Sequence, residues 1–162
     1  MKKPLLVAAG VILIGVAWFL FRPEKLFISE SVNEGFPEAA EQVQENSPRL
    51  LLEGRFHGVA HETQGTAAIF ELPDGKRVLR LTDFETSNGP DVRVFLGGAK
   101  DANDNDTVTK AGYVELGPLK GNVGNQNYDV PSEIDLGNFG SVTIWCKRFG
   151  VNFGTAPLMA AR

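Results

Sequence analysis

The segment TAAIFELPDGKRVLRLTDF, residues 66–84, contains two strand-like runs separated by a turn. Pro73, Asp74 and Gly75 form that turn, and Gly75 supplies the positive φ that a tight hairpin needs. From Leu50 onward the apolar pattern has the period of two that is typical of β-strands. The segment therefore predicts an antiparallel hairpin.

Similar runs of about five to nine residues continue on both sides of this hairpin and are separated by Gly, Asn-Gly and Pro. On the N-terminal side, LLLEGRFHG (50–58) places Leu50, Leu52 and Phe56 on one face. The later runs are DVRVFL (91–96), AGYVELGPL (111–119), NQNYDVP (125–131) and SVTIWCKRF (141–149). This pattern predicts an all-β sandwich or barrel of about seven to nine mostly antiparallel strands.

The N-terminus has the composition of a membrane anchor. Two lysines precede an uncharged run at residues 4–21, and Arg22 follows it. As a helix the run would be roughly 27 Å long, close to the ~30 Å thickness of the hydrocarbon layer. Its bulky end, Trp18 to Phe21, makes a poor cleavage site, so an uncleaved transmembrane helix is predicted, with a cleaved signal peptide as the alternative. The basic head favours a single-pass protein whose C-terminal part is periplasmic or extracellular.

Three regions follow from these patterns: an anchor at 1–22, a connector at 23–48 and a β domain at 49–162. The connector contains six acidic residues and one lysine and has few large apolar side chains, so it is predicted to act as a spacer, with a short helix near 37–45. The chain has a net charge of −4 and no basic stripe, which excludes nucleic acid as a partner.

Cys146 is the only cysteine, so it cannot form an intramolecular disulfide. Strand alternation puts Cys146 on the same side as Val142 and Ile144. Trp145 and Lys147 are expected to face outward. A cysteine that points into the core is a poor nucleophile. The opposite hypothesis is an exposed thiol that the neighbouring positive charges activate.

His57 and His61 are the only histidines and lie four residues apart in FHGVAH. Together with Cys146 they could form a metal or haem site, and they are the candidate cofactor-binding residues. A turn at Gly58 would separate them, which favours surface histidines instead. A copper centre of the His-Cys-Met type is excluded because no histidine follows Cys146 and Met159 is too distant. No metal site is assigned.

The segment DANDNDTVTK (101–110) begins like a calcium-binding loop. An EF-hand would need Gly and Glu where this chain has Asp106 and Gly112, so an acidic surface loop without flanking helices is predicted. The segment FETSNGPD (84–91) is predicted to be a tight connection. The sequence contains no complete catalytic constellation, and an enzymatic activity is not favoured.

Four blocks, in order, resemble a known family, the DM-thirteen domain, also called the electron-transfer DM domain. They span about Leu50 to Leu158 and are FHGVAHETQGTAAIFEL, VLRLTDFETSNGPDVRVFL, LKGNVGNQNYDVP and VTIWCKRFGVNFGTAPL. The family occurs in bacteria and beside DOMON domains in animal Skeletor-like proteins. The resemblance implies a β-rich extracytoplasmic module with a redox role tied to a cysteine that follows a tryptophan. These correspond here to Cys146 and Trp145. The thiol would act itself or hold a group such as haem.

Three functions therefore stay open. The first is a membrane-anchored redox or electron-transfer module centred on Cys146, with a redox or surface protein as partner and haem or no cofactor. The second is a non-catalytic binding or adhesion module in which Cys146 is a core residue. The third is a structural domain that depends on calcium or another metal.

Overall fold

The computed structural model describes residues 2–21, 29–37 and 47–161. Its elements are α1 (Lys2–Phe21), β1 (Arg49–Arg55), β2 (His57–Gly58), β3 (Thr63–Glu71), β4 (Arg77–Thr86), β5 (Val92–Gly97), α2 (Asn105–Ala111), β6 (Tyr113–Pro118), β7 (Val123–Val130), a 3-10 turn (Leu136–Asn138), β8 (Ser141–Cys146), β9 (Val151–Pro157) and β10 (Met159–Ala160).

The strands form two antiparallel sheets of five, which confirms the all-β prediction and identifies the sandwich of its two alternatives. The ten strands exceed the predicted seven to nine because β2 and β10 are only two residues long each. Sheet A has the strand order β10-β1-β3-β4-β7, and sheet B has the order β2-β9-β8-β5-β6. One core cluster fills the space between them, and its largest fully buried side chains are Phe84, Ile69, Leu79, Leu81, Leu96 and Ile144. Each fully buried side chain of this kind contributes about 1.5–3 kcal/mol relative to exposure.

The predicted hairpin forms the centre of sheet A. In β3 and β4, Ile69 pairs with Leu79 and Phe70 with Val78, so alternate side chains of both strands enter the core. Gly75 has φ 83° and donates its N–H to the Leu72 carbonyl oxygen at 2.9 Å. The turn therefore has the geometry for which the sequence selects glycine.

β1 departs from the alternation predicted for it. Its register against β3 shifts between Leu50 and Leu52, so Leu51 and Leu52 both pack against the core. Phe56 is buried where the chain leaves sheet A, and His57 opens β2 in sheet B. This short segment thus belongs to both sheets and forms one corner of the sandwich.

Residues 29–37, called the strap below, lie along β7 although the sequence assigns them to the connector. Ser31 bridges Val123 in the parallel sense, and the Val32 N–H donates to the Val123 carbonyl oxygen at 2.9 Å. The Glu34 carboxylate accepts hydrogen bonds from Lys120 Nζ at 2.7 Å and from the backbone N–H of Asn127 at 2.7 Å. This part of the connector is therefore docked on the domain. The helix predicted near 37–45 falls almost wholly on residues outside the described ranges.

The segment predicted to be an acidic loop instead contains α2, which corrects the expectation that no helix occurs there. Asp104 caps the helix, because its Oδ1 accepts the Thr107 N–H at 2.6 Å. Such a cap satisfies one of the free N–H groups of the first helical turn. Val108 is the buried residue of α2, and it packs on the outer face of sheet B.

α1 is formed as a helix, and its apolar side chains, including Leu13 and Phe19, are exposed. Within the described ranges, no helix meets the combined length and apolarity that a membrane crossing requires.

Candidate functional site

Cys146 lies at the end of β8 and points between the two sheets. Its pairing partners are Val92 on β5 and Val151 on β9. The side chain is 0 % exposed and belongs to the same core cluster as Val142 and Ile144. The alternation predicted from the sequence is therefore present, and the thiol has no path to solvent in this conformation.

Trp145 occupies the opposite face of β8, as predicted, but it does not face solvent. It is 5 % exposed, and a second, smaller core contains Trp145, Phe95, Ala102 and Val108. Thr143, on the same face, is fully buried as well. The expectation that Trp145 faces outward is wrong because α2 and the loop before it cover this part of the face, whereas Lys147 is exposed as predicted.

An aromatic stack crosses this outer face of sheet B. The Tyr113 and Phe95 rings are nearly parallel, with centroids 4.1 Å apart and planes at 4°. The Phe95 and Trp145 rings follow at 6.1 Å and 25°. Both separations lie in or near the range of favourable aromatic contacts. Sequence reasoning missed this stack, although the aromatic residues of β5, β6 and β8 at matching alternation were available as a signal.

The turn at Asn88–Asp91 lies beside the Cys146 end of β8. The Lys147 N–H donates to the Asp91 carbonyl oxygen at 2.8 Å, which ties the turn to the β8–β9 hairpin. A Cβ at Gly89 would lie 2.8 Å from Val92 Cγ2 and 3.1 Å from Phe153 Cζ. The predicted tight connection is present, and its glycine allows the turn to sit directly on the core.

Four charged side chains line the outer face next to this turn. Arg93 contacts the Asp91 carboxylate and lies 3.0 Å from Glu115 Oε1, while Lys147 Nζ lies 2.9 Å from Glu115 Oε2. The two carboxylates balance the two cations. The face that carries the aromatic stack is therefore bordered by a group of zero net charge.

His61 lies against the core on the side of Phe153. The ring centroids of His61 and Phe153 are 3.9 Å apart, and Phe153 belongs to the core cluster that contains Cys146. Burial lowers the pKa of His61 below its usual value, so the imidazole is favoured in its neutral form. Phe153 is thus the residue that links this histidine to the core.

His57 faces a different partner. Its Nε2 lies 2.8 Å from Asp101 Oδ1, in the loop that leads into α2. Burial raises the pKa of the Asp101 carboxyl, but the hydrogen bonds from His57 and Asn103 outweigh this and hold that pKa below its usual range. The structure therefore does not bring His57 and His61 together with Cys146 as one ligand set.

A cavity of about 770 Å³ lies beside His61. Polar and acidic side chains dominate its wall, including Glu62, Gln64 and Glu85. The Gln64 amide donates to Glu85 Oε2 at 2.8 Å. The cavity is large enough for a small ligand but lacks the apolar walls usual for a large planar cofactor.

The metal and haem hypotheses can be tested against these positions. Among the described residues, no group of three or more His, Cys, Asp or Glu side chains is arranged to hold a metal ion. A haem ligated by Cys146 does not fit, because its macrocycle would have to displace the core side chains that bury the sulfur completely. His57 is engaged by Asp101.

Comparison with known proteins gives one match. A family model described as "Electron transfer DM13" matches residues 55–158, which is more than half of the chain. No curated protein matches the chain, and no solved structure does. The match confirms the resemblance seen in the four sequence blocks. The chain therefore belongs to the electron-transfer DM13 family.

Proposed function

We propose that this chain is an electron-transfer module, held at a membrane by residues 4–21, in which Cys146 is redox-active. The family match over residues 55–158 carries the proposal, since that range includes the Trp145–Cys146 pair at the end of β8. The partner in this proposal is a redox protein that docks on the surface of the domain.

The burial of Cys146 limits what its sulfur can do. Thiol–disulfide exchange requires a thiolate that a second sulfur can approach. A side chain that is 0 % exposed cannot be approached without opening the β8–β9 end of the sandwich. The proposal is therefore restricted to one-electron oxidation of the thiol and does not include a covalent bond to the partner. The partner takes the electron, the Sγ–H proton passes to water when the β8–β9 end opens, and a thiyl radical remains on Cys146.

Voltammetry of the full chain in detergent tests this function. Wild-type protein should give a reversible signal, and Cys146→Ala should lose or shift it. Val142→Ala is the matched control, because Val142 is buried on the same face of the same strand. An identical signal in wild type and Cys146→Ala would remove Cys146 from the proposal.

The same burial favours a second candidate function, a non-catalytic binding or adhesion module in which Cys146 only fills the core. Buried cysteine often behaves as a small apolar side chain. For this candidate, the folded chain should give no voltammetric signal, and its thiol should react with a maleimide only after unfolding. A signal that depends on Cys146 would contradict it.

The cofactor-binding roles of His57 and His61 stay predictions. His61 is the better placed of the two, because it lines the cavity of about 770 Å³. The His57 ring is already paired with Asp101.

Membrane attachment, with the β domain in the periplasm or outside the cell, is part of the proposal. The uncharged run at residues 4–21 and the preceding Lys2 and Lys3 support it. The full chain should stay in the membrane fraction after alkaline carbonate extraction and yield only to detergent. Leu13→Asp should weaken this attachment, since a charge at the centre of a span costs about 3 kcal/mol. Leu13→Ala is the control. Extraction of the wild type by carbonate, or a cleaved N-terminus by mass spectrometry, would contradict the anchor.

A further inference from the structure

The aromatic stack is built by diagonal neighbours on three adjacent strands. Trp145 on β8 pairs with Arg93 on β5, and Phe95 lies two residues beyond Arg93 on the same face. Phe95 in turn pairs with Glu115 on β6, and Tyr113 lies two residues before Glu115. Diagonal neighbours of this kind are close enough for aromatic rings to touch.

The two ends of the stack differ in their access to solvent. Phe95 is fully buried, whereas the Tyr113 side of the stack opens to water because Tyr113 is 44 % exposed. At the other end, Trp145 borders the β8–β9 hairpin, where a Cβ on Gly150 would lie 3.9 Å from Trp145 Cζ2. The neighbouring Phe149 is 56 % exposed. The stack therefore runs from the exposed Tyr113 ring through the fully buried Phe95 ring to Trp145, which is itself buried but lies next to the β8–β9 hairpin.

We propose that the Tyr113–Phe95–Trp145 stack is the route by which an electron crosses the outer face of sheet B. This inference rests on the electron-transfer function proposed above. It places the redox-active rings on the face of β8 opposite to Cys146, with Trp145 at the hairpin end and Tyr113 at the open end.

Cys146 is neither oxidised nor reduced in the elementary step. A high-potential one-electron oxidant docked at the hairpin, with a reduction potential above that of the indole radical cation, takes an electron from Trp145 and is reduced. An indole radical cation remains. The Tyr113 phenol returns one electron to Trp145 across the Phe95 ring and releases its hydroxyl proton to water. The products are an intact Trp145, a Tyr113 phenoxyl radical and one hydrated proton. Phe95 is not itself oxidised and serves as the bridge between the two rings.

Tyr128 is a natural comparison within the chain. Its hydroxyl donates to Gln126 Oε1 at 2.7 Å and accepts the Lys120 N–H at 3.1 Å, and the residue is 5 % exposed. Burial raises the pKa of Tyr128, because the charged phenolate is disfavoured in the core. The oxidation of a phenol requires a proton acceptor, which water provides at Tyr113 and the core does not provide at Tyr128.

Pulse radiolysis can follow the step directly, because the chain has two tryptophans and two tyrosines. Trp18→Phe leaves Trp145 as the only indole in the full chain. Azide radicals, which oxidise indoles in preference to phenols, should produce an indolyl signal that decays as a phenoxyl signal rises. The rate of this conversion should not depend on protein concentration.

Three variants in this background test the route. Tyr113→Phe should abolish the phenoxyl rise, Phe95→Leu should slow it severalfold, and Tyr128→Phe should leave it unchanged. Tyr113→Phe keeps the ring and removes only the hydroxyl of a residue that is 44 % exposed, so its result does not depend on a marginal fold. An unchanged phenoxyl rise in Tyr113→Phe, or an unchanged rate in Phe95→Leu, would overturn the route.

The voltammetric experiment separates this inference from the function on which it rests. A chain that fails the radiolysis test but keeps a signal that depends on Cys146 overturns the route alone. A chain that fails both overturns the electron-transfer function as well.

Discussion

The two faces of β8 are both buried, but they are buried by different means. The inner face, with Val142, Ile144 and Cys146, is closed by a whole second sheet. The outer face, with Trp145, is closed by the seven-residue helix α2 and the loop before it. The side chains of the inner face pack against those of sheet A, whereas the outer face is shielded from solvent only by α2 and the loop before it. The comparison shows that the thiol and the aromatic rings, although adjacent in sequence, lie in separate compartments.

The largest loss in the free energy of unfolding is expected for Trp145→Ala. Removal of a buried tryptophan costs about 3–5 kcal/mol, because the cavity left under α2 is only partly refilled. Urea unfolding of the chain in detergent would measure the loss. Phe149→Ala is the control, since this exposed neighbour should change stability by no more than about 0.5 kcal/mol. A loss below about 1 kcal/mol for Trp145→Ala would show that the outer face is a surface and not a second core.

A smaller loss in the free energy of unfolding is expected on the inner face, for Cys146→Ser. The substitution nearly preserves shape but buries a hydroxyl among apolar side chains, which costs about 1–3 kcal/mol when the group has no partner. Cys146→Ala is the matched control and should cost less, because it leaves only a small cavity and no polar group. The same unfolding titration compares the two. Equal stability of Cys146→Ser and wild type would mean that the inner face is less apolar than its neighbours indicate.

The smallest loss of stability is expected for Asp101→Asn. This substitution removes a charge from the loop before α2 and so tests the segment that covers the outer face of sheet B. The folded-state pKa of Asp101 is lowered, so its ionised form contributes stability above the usual carboxyl pKa of about 3.9. That contribution is lost as pH falls through the lowered value. The stability difference between wild type and Asp101→Asn should therefore shrink between about pH 5 and about pH 3. Thermal melting across this range checks it, and a difference that is constant with pH would contradict the role of the charge.

The strand pattern was accessible from the sequence because alternation, turn residues and the inward position of Cys146 are local properties. The cover of Trp145 was not accessible, because it depends on a helix whose Asp, Asn and Thr residues are equally typical of a loop. Asp104 caps this helix, and the helix is packed on the domain through Val108, which is buried against Phe95 and Trp145 of sheet B. The interpretation of the 101–110 segment and the exposure of Trp145 therefore failed together.

The two histidines show a similar limit. Their spacing allowed a common site, and Gly58 allowed their separation, but the sequence could not choose between these arrangements. The choice depends on contacts with Asp101 and Phe153, which are 44 and 92 positions away from their histidines along the chain. Contacts between residues so far apart in the sequence cannot be predicted from the spacing of the two histidines.

The strap has a consequence for where the folded unit begins. β7 is the last strand of sheet A, and its free backbone groups would form a template for another chain if the strap were absent. A chain shortened to start at residue 49 would contain every strand of both sheets, yet it would expose this edge and should self-associate. A chain that starts at residue 29 would carry its own cover. We therefore expect the strap to protect the domain against aggregation, and size-exclusion chromatography of the two shortened chains would measure it.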